Sequence, residues 1–426
     1  MAFYDYLIVG NSVAAVGAVE AIREVDRSGS LAIVGEEPHP AYSRPAISYL
    51  LTGEKTPEQL AYRDPDFYRR MAVELLVPRR AAAVDPARRR VTLEDGACLD
   101  YGKLLLATGG RRVTPPIAGA DRPGVFGFIN IADVAALKEH IERHQARRAV
   151  VVGGGLIGLQ AAEALLRIGL TVTVVELMDR LLALNLDRRA SATVEELFRS
   201  HGVELFLGAA AKEFRPRPGE ERVGAVALAG GEELPCDLVV LAAGVAPRAE
   251  LAREAGIRVV KGIAVDQHLA TSAPDVYAAG DVAEAYDFLE ERARPIPIWP
   301  NAYHEGRTAG LNMAGRERSY RGETAMNALH FFGTPAISVG QYDPPQEGYE
   351  VREAVGEGFY RRLVFKGEVL VGLVCVGDAV DRCGIATGCI RDRIPLSEEF
   401  KEKLLADFRF LSLPEEWRRR RIRGEA

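Results

Sequence analysis

The chain has 426 residues, of which 48% are hydrophobic and 27% charged, with a formal net charge of −6. That balance excludes a disordered chain, and the length allows two to four domains at roughly 100–200 residues each. The acidic total argues against nucleic-acid binding, which calls for a basic surface. No run approaches the ~18 uninterrupted apolar residues of a spanning helix. The opening MAFYDYLIVG carries no basic start or cleavage site, so no export is expected. Five cysteines, Cys98, Cys236, Cys375, Cys383 and Cys389, are odd in number and widely spread, without a Cys-x-x-Cys. That is the usage of reduced cytoplasmic thiols.

Residues 4–10 (YDYLIVG) form an apolar strand ending in glycine, followed by a helix of small residues (NSVAAVGAVEAI) and a second strand at 31–36 (LAIVGE). The same βαβ opening recurs later. Residues 147–155 (RRAVVVGGG) run into a glycine turn, LIGLQAAEALLRIG is the helix, and 170–176 (LTVTVVE) the next strand. Two similar strand endings, KLLLATGG at 103–110 and DLVVLAAGV at 237–245, finish in small residues that admit a close backbone or ligand. A proline-rich stretch from Arg294 to Pro300 precedes the helix-like NAYHEGRTAGLNMAG. From about Met326 alternating strands take over, with a charged helix from about Leu396 and the basic Trp417-Arg418-Arg419-Arg420-Arg421-Ile422-Arg423 at the end.

Gly153-x-Gly155-x-x-Gly158, with Glu176 at the end of the following strand, is a dinucleotide fingerprint in its full strand–turn–helix context. The first glycine makes the turn, the second admits a pyrophosphate to the helix N-terminus, and the third permits close helix packing. Glu176 ends a buried strand, where a carboxylate needs partners; ribose hydroxyls would supply them and point to NAD over NADP. The first unit is weaker by spacing alone. Gly10-Asn11-Ser12-Val13-Ala14-Ala15 keeps only the first glycine, and it reads either as a second nucleotide site or as a structural helix start. Its acidic partner is Glu36, with Glu37 a solvated neighbour.

With YSRPAIS (Tyr42 to Ser48), ATGG at 107–110 and TSAPDVYAAGDV at 271–282 added, the whole chain resembles the FAD-dependent pyridine nucleotide-disulfide oxidoreductases. It is most similar to the branch of NADH-rubredoxin reductases, nitrite reductase flavin domains and ferredoxin reductases. The resemblance implies an α/β fold of two doubly wound dinucleotide-binding domains, the NAD domain inserted in the FAD domain, plus a C-terminal α+β domain. The expected divisions are 1–113 and 245–325 for FAD, 114–244 for NAD and 326–426 for an interface domain. It implies FAD contacts at Gly10, Ser12, Ala14, Ala15, Glu36, Glu37, Arg44, Ala81, Ala107, Thr108, Gly109, Gly280 and Asp281. It implies NAD(H) contacts at Gly153, Gly155, Leu156, Ile157, Gly158, Glu176, Ala243 and Gly244. Trp299, Asn301 and Ala302 fall at the flavin ring edge, where a helix start would steady negative charge on reduced flavin.

Three departures from the family pattern bear on chemistry. No cysteine lies between Glu36 and Tyr49, so thiol–disulfide exchange at the flavin is not expected, and Cys383 and Cys389 read as buried small residues. The resemblance places a lysine at Tyr49 and a glutamate at Gln160 in ferredoxin-reductase relatives. Here both charges are missing together, which avoids an unpaired buried ion. The implied reaction is hydride transfer from NADH to FAD, bordered by Tyr49, Gln160 and Trp299 with no general acid or base, and then electron delivery to an iron-sulfur, rubredoxin or ferredoxin-type partner. The alternative is a fixed FAD/NAD-binding subunit of a larger iron-sulfur enzyme of nitrite reductase or 2-oxoacid oxidoreductase type. His304, within the helix expected to face the flavin, reads as a surface or packing residue, and no cluster has metal-ligand spacing.

Overall fold

The apolar run Tyr6–Val9 becomes the centre of a sheet because strands that pack on both faces bury every side chain, and Leu7, Ile8 and Val9 are almost wholly buried. The computed structural model describes residues 2–345, 347–377, 380–409 and 413–423. They divide into two units. The first comprises the segments up to Ile47, Lys55–Val113 and Val245–Thr324; the second comprises Ser48–Glu54, Thr114–Gly244 and the chain from Ala325.

In the first unit the strands Val73–Leu76, Leu31–Val34, Ala2–Val9 and Cys98–Leu106 lie side by side and parallel. Cys98–Leu106 then forks. Its start pairs antiparallel with Arg90–Leu93, and its end pairs parallel with Val276–Ala278. The fork brings the late Val276–Gly280 segment beside Ala107.

Against this sheet two helices cross, Val13–Val25 and Trp299–Met313, at a contact that only small residues allow. A Cβ on Gly306 would overlap the carbonyl of Ala14, one on Gly310 that of Ala18, and one on Gly17 that of Tyr303. The small-residue spacing of NSVAAVGAVEAI is therefore a packing surface. It fixes where the start of the Trp299–Met313 helix points.

The second unit repeats the construction. Glu204–Leu207, Thr171–Glu176, Arg148–Val152, Leu238–Leu241 and Val125–Phe126 form a five-stranded parallel sheet. An antiparallel three-stranded sheet of Ala211–Pro216, Val223–Leu228 and Glu233–Pro235 packs with it.

From Met326 a five-stranded antiparallel sheet follows, in the order Met326–Phe331, Thr334–Gly340, Val369–Gly377, Phe359–Lys366 and Glu350–Gly356. It meets the parallel part of its unit through aromatic contacts. Phe332 stacks on His201 at 3.9 Å and meets Phe198 at 5.0 Å, while its amide donates to Glu163 at 3.1 Å. The Tyr360 hydroxyl reaches Asp187, the N-cap of the Arg188–Ser200 helix, at 3.2 Å. The fold is thus mixed α/β, with a largely parallel sheet in the first unit, a parallel sheet in the second and an antiparallel C-terminal sheet. The charged stretch expected from about Leu396 is two helices, Glu398–Ala406 and Glu415–Arg423.

Candidate functional site

The two glycine turns are built alike. In the first unit the Gly10 amide donates to Val34 O and the Ala107 amide to Val9 O, both at 2.8 Å; in the second, Gly153 donates to Val175 O and Ala242 to Val152 O, again both at 2.8 Å. Each glycine has positive φ, +112° at Gly10 and +118° at Gly153, and an added Cβ would overlap the carbonyl of Ala107 or Ala242. The neighbouring strand end thus forces glycine at the turn. A helix starts directly after each turn, capped by Ser12 or Gly155 in extended conformation. The Ser12 side chain makes no capping hydrogen bond, and a Cβ on Gly155 meets no described atom within 4 Å. At neither turn does the N-cap side chain bond the helix N-terminal amides, and Leu156 and Ile157 form the first turn in the second unit. There Gly158 packs so tightly beneath the turn that a Cβ would overlap Gly153 O, whereas Ala15, at the matching place, fits a methyl group fully buried.

The acidic residues differ between the units. Glu176 is held by backbone donors, accepting from Gly154 N at 2.5 Å and Met178 N at 2.7 Å. The partners expected from a ribose are thus already supplied by amides, which aim the carboxylate across the turn. In the first unit the strand ends at Val34, two residues before Glu36. Glu36 is exposed and pairs with Arg248 at 2.8 Å and Arg80 at 3.6 Å. Glu37 is not a solvated neighbour; it accepts from the Tyr42 hydroxyl at 2.6 Å and from Arg44.

Arg44 pairs with Glu37 and feels the charge of Asp281 as well. Asp281 is pushed above the ordinary carboxylate range by burial, partly offset by Arg44. Gly280 takes φ +82° beside the methyl groups of Ala14 and Ala302. Thr108 Oγ1 donates to Arg248 O at 2.7 Å, and Ala81, which opens the Ala81–Asp85 strand, is buried. Gly109 and Gly244 both have positive φ and open space where a Cβ would stand, so the strand endings at Ala107–Gly109 and Ala243–Gly244 leave room for a bound group.

Trp299 begins its helix and packs edge-on against Tyr62, with ring centroids 4.5 Å apart. Asn301 and Ala302 in the same turn are buried. Asn301 Nδ2 donates to Ile296 O at 3.1 Å and to Glu305 Oε1 at 2.9 Å, while its Oδ1 accepts from Tyr320. Glu305, one turn on, was not legible as a site residue, because a lone glutamate in a helix reads as a solvated face. It is only 1% exposed and also accepts from Gly280 N at 2.7 Å. Burial pushes its carboxyl up to about 8, with smaller contributions from the charges of Asp281 and Glu323.

Tyr49 lies in the second unit, 38% exposed, on the short Ser48–Leu51 helix. That helix packs on Leu156–Arg167, which carries Gln160. His304 is exposed and pairs with Glu323 at 3.0 Å. Cys383 and Cys389 are buried, as expected for small core residues, and so are Cys236 and Cys375, while Cys98 is partly exposed. Among the described residues no group of His, Cys, Asp and Glu forms a metal site, and no helix is long and apolar enough to cross a membrane.

Comparison with known proteins carries this geometry to a family. Residues 4–306 match the family profile of the pyridine nucleotide-disulphide oxidoreductases. The chain is 34% identical over 408 residues to the epsilon subunit of an NADH-dependent phenylglyoxylate dehydrogenase from Aromatoleum evansii, across 94% of this chain and 95% of that one. It is 30% identical to a Bacillus subtilis nitrite reductase [NAD(P)H], covering 88% of this chain but only 45% of that protein. The crystal structure of a ferredoxin reductase for the CYP199A2 system from Rhodopseudomonas palustris superposes with a TM-score of 0.86 at 27% identity, covering 96% of this chain and all of that one. The chain therefore belongs to the pyridine nucleotide-disulphide oxidoreductase family, as an oxidoreductase that works with FAD and NAD(H).

Proposed function

We propose that the first unit holds FAD, the second holds NAD(H), and the chain moves electrons from NADH through the flavin to an iron-sulfur, rubredoxin or ferredoxin-type protein. The observation that carries this reading is the pair of glycine turns closed by matching 2.8 Å hydrogen bonds, each leading into a helix whose N-cap residue makes no side-chain hydrogen bond to it. Such a terminus suits a pyrophosphate. When bound, FAD supplies the hydride-accepting and electron-releasing chemistry that side chains lack.

The chain's own residues bind and orient. Gly10, Ser12, Ala14 and Ala15 line one turn, with Ala81, Ala107, Thr108 and Gly109 closing its side. Glu36 and Glu37 serve the adenosine end, and Arg44 with Gly280 and Asp281 the phosphate and ribityl region, Arg44 offering a planar fork to phosphate. Trp299, Asn301 and Ala302 present a helix start to the flavin edge, where the helix dipole favours negative charge. In the second unit Gly153, Gly155, Leu156, Ile157 and Gly158 serve the pyrophosphate of NADH, Glu176 its ribose, and Ala243 and Gly244 its flank. Tyr49 and Gln160 border the reacting region without charge. On this reading 1–113 and 245–325 are the flavin domain, 114–244 the nucleotide domain and 326–426 the interface domain. The reduced cysteines fit a cytoplasmic setting.

The absence of any cysteine between Glu36 and Tyr49 supports direct discharge of the flavin to a one-electron partner rather than through a dithiol. The end-to-end match to a protein named as a subunit favours a second reading, in which the chain is a fixed component of a larger iron-sulfur enzyme. One purification tests both. The untagged protein should be yellow with one FAD per chain, and NADH should bleach it within the mixing time of a stopped-flow instrument. FMN, or no flavin at all, would overturn the proposal; a stable iron-sulfur partner co-eluting on size exclusion would select the second reading.

A further inference from the structure

We propose that Asn11 and Tyr68 are a positioning pair that clasps the loop bearing Glu37 and Arg44 to the first glycine turn, so that two contacts for one cofactor stand at a fixed separation before it binds. The proposal rests on the assignment of FAD to the first unit.

The loop needs such a clasp. After the strand Leu31–Val34 the chain leaves the sheet, and among the described residues no hydrogen bond ties the main chain from Glu36 to Pro40 to another main-chain group. Pro38 and Pro40 have no amide to give. Main-chain support resumes where Ala41 O accepts from Tyr62 N and Ser43 N donates to Leu60 O, both at 2.8 Å.

Two side chains close the gap. Asn11, next to Gly10 in the turn, donates from Nδ2 to His39 O at 3.1 Å. The Tyr68 hydroxyl donates to Asn11 Oδ1 and accepts from Ala41 N, both at 2.9 Å. The loop also passes close against the turn, since a Cβ on Gly35 would stand 3.0 Å from Asn11 Cβ. These groups match in one sense only. Turning Asn11 over would set Oδ1 against His39 O, and aspartate at position 11 would do the same. Phenylalanine at position 68 would leave both Asn11 Oδ1 and Ala41 N without the hydroxyl they share.

Arg44 is the beneficiary. It pairs with Glu37, which also accepts from the Tyr42 hydroxyl at 2.6 Å, and its guanidinium lies 5.1 Å from the centroid of the Tyr42 ring. Glu37, Tyr42 and Arg44 therefore hold one another, and the clasp holds the group to the turn. A dinucleotide laid on the turn then meets a guanidinium already in place. With the clasp open, binding has first to order the loop, which lowers affinity without removing any contact to the cofactor.

The test is the FAD dissociation constant, read from the free-flavin fluorescence that appears on dilution of the holoprotein. Tyr68→Phe, which removes one oxygen, should raise the constant about five- to thirtyfold, as for hydrogen-bonding groups left without a partner. Asn11→Ala should raise it at least as much, and the double variant should exceed Asn11→Ala by less than about twofold, because both changes open one clasp. The decisive comparison is made in Arg44→Gln, where adding Tyr68→Phe should cost less than about twofold, since the group it places is gone. A purely structural role for Tyr68 would not depend on Arg44. An unchanged constant in Tyr68→Phe, or the same rise with and without Arg44, would overturn the inference, and Tyr68→Phe decides it alone should Asn11→Ala fail to fold. Absence of bound FAD from the unaltered chain would instead sink the flavin assignment on which it rests.

Discussion

Gly154 and Glu176 are joined across the second glycine turn by a 2.5 Å hydrogen bond from amide to carboxylate, with Met178 N holding the other oxygen at 2.7 Å. The carboxylate is fixed in place before any nucleotide arrives. A 2′-phosphate there would meet a charge that cannot swing away. Arg180, the nearest cation in sequence, does not relieve it, since it pairs with Asp179 at 3.1 Å and is mostly buried. NADH should therefore be preferred over NADPH by about 30- to 1,000-fold in kcat/KM, from a mismatch of roughly 2–4 kcal/mol. Steady-state kinetics with both nucleotides check this; a ratio below about 5 would deny Glu176 the role.

Alanine at the two turn glycines should separate the cofactors. Gly10→Ala drives a Cβ into Ala107 O and Gly153→Ala drives one into Ala242 O, both at strongly positive φ, which costs several kcal/mol locally. Gly10→Ala should lose FAD. Gly153→Ala should stay yellow while its KM for NADH rises at least about tenfold. Flavin content by absorbance and NADH titration measure the two outcomes, and a Gly153→Ala protein with unchanged KM would remove the nucleotide from that turn.

Burial of Glu305 also predicts a pH dependence of stability, and its sign is opposite to that of a salt-bridged carboxylate. Its carboxyl is raised from 4.5 to about 8, so between those values the folded chain holds a proton that the unfolded chain has released. Stability then falls as pH rises through that window and is level above it. The full effect is ~5 kcal/mol. Glu305→Gln should match the unaltered chain near pH 4.5 and exceed it in Tm by several degrees at pH 8, as scanning calorimetry would record. A constant Tm difference across pH would mean the carboxyl titrates normally.

At the C-terminal helix Glu415–Arg423, Arg419 pairs with Glu415 at 2.6 Å and Arg418 donates to Leu413 O at 3.1 Å. The side chains of Arg420 and Arg421 lie outside the described residues. If the basic helix steers an acidic electron carrier, changing Arg418, Arg419 and Arg423 to Gln should lower acceptor reduction several-fold and flatten its dependence on salt. NADH-driven flavin reduction should stay unchanged in the same variant. Equal loss of both rates would mark the helix as structural.

Some of this site could be read from the chain and some could not, for reasons of distance along the sequence. The glycine turns have a local signature, one strand, one turn and one helix, so Gly10 and Gly153 were legible although the carbonyls that force them, on Ala107 and Ala242, lie far along the chain. So were the alternating strands from Met326, whose pattern of period two needs no partner to be recognised. Glu37 and Glu305 were not legible. A glutamate's role depends on what the fold brings to it, and Glu37 meets Arg44 and Tyr42 only because the chain turns back after Val34. Glu305 meets Gly280 across 25 residues. Glu176 was legible as a carboxylate that needs partners, yet no pattern of side chains could announce that two backbone amides would supply them.

The chain uses the same spelling, Gly-x-x-x-Gly, in two helices with opposite tolerance to change. Gly306 and Gly310 lie against the carbonyls of Ala14 and Ala18, with no volume to spare. Gly384 and Gly388, in the Cys383–Arg391 helix, have no described atom within 4 Å of an added Cβ. Alanine at the first pair pushes two backbones apart and displaces the helix that carries Trp299 and Asn301. At the second pair it relieves the chain of two flexible links, gaining about 0.5–1 kcal/mol each. An engineer seeking a hardier enzyme should begin at Gly384 and Gly388 and leave the helix crossing untouched.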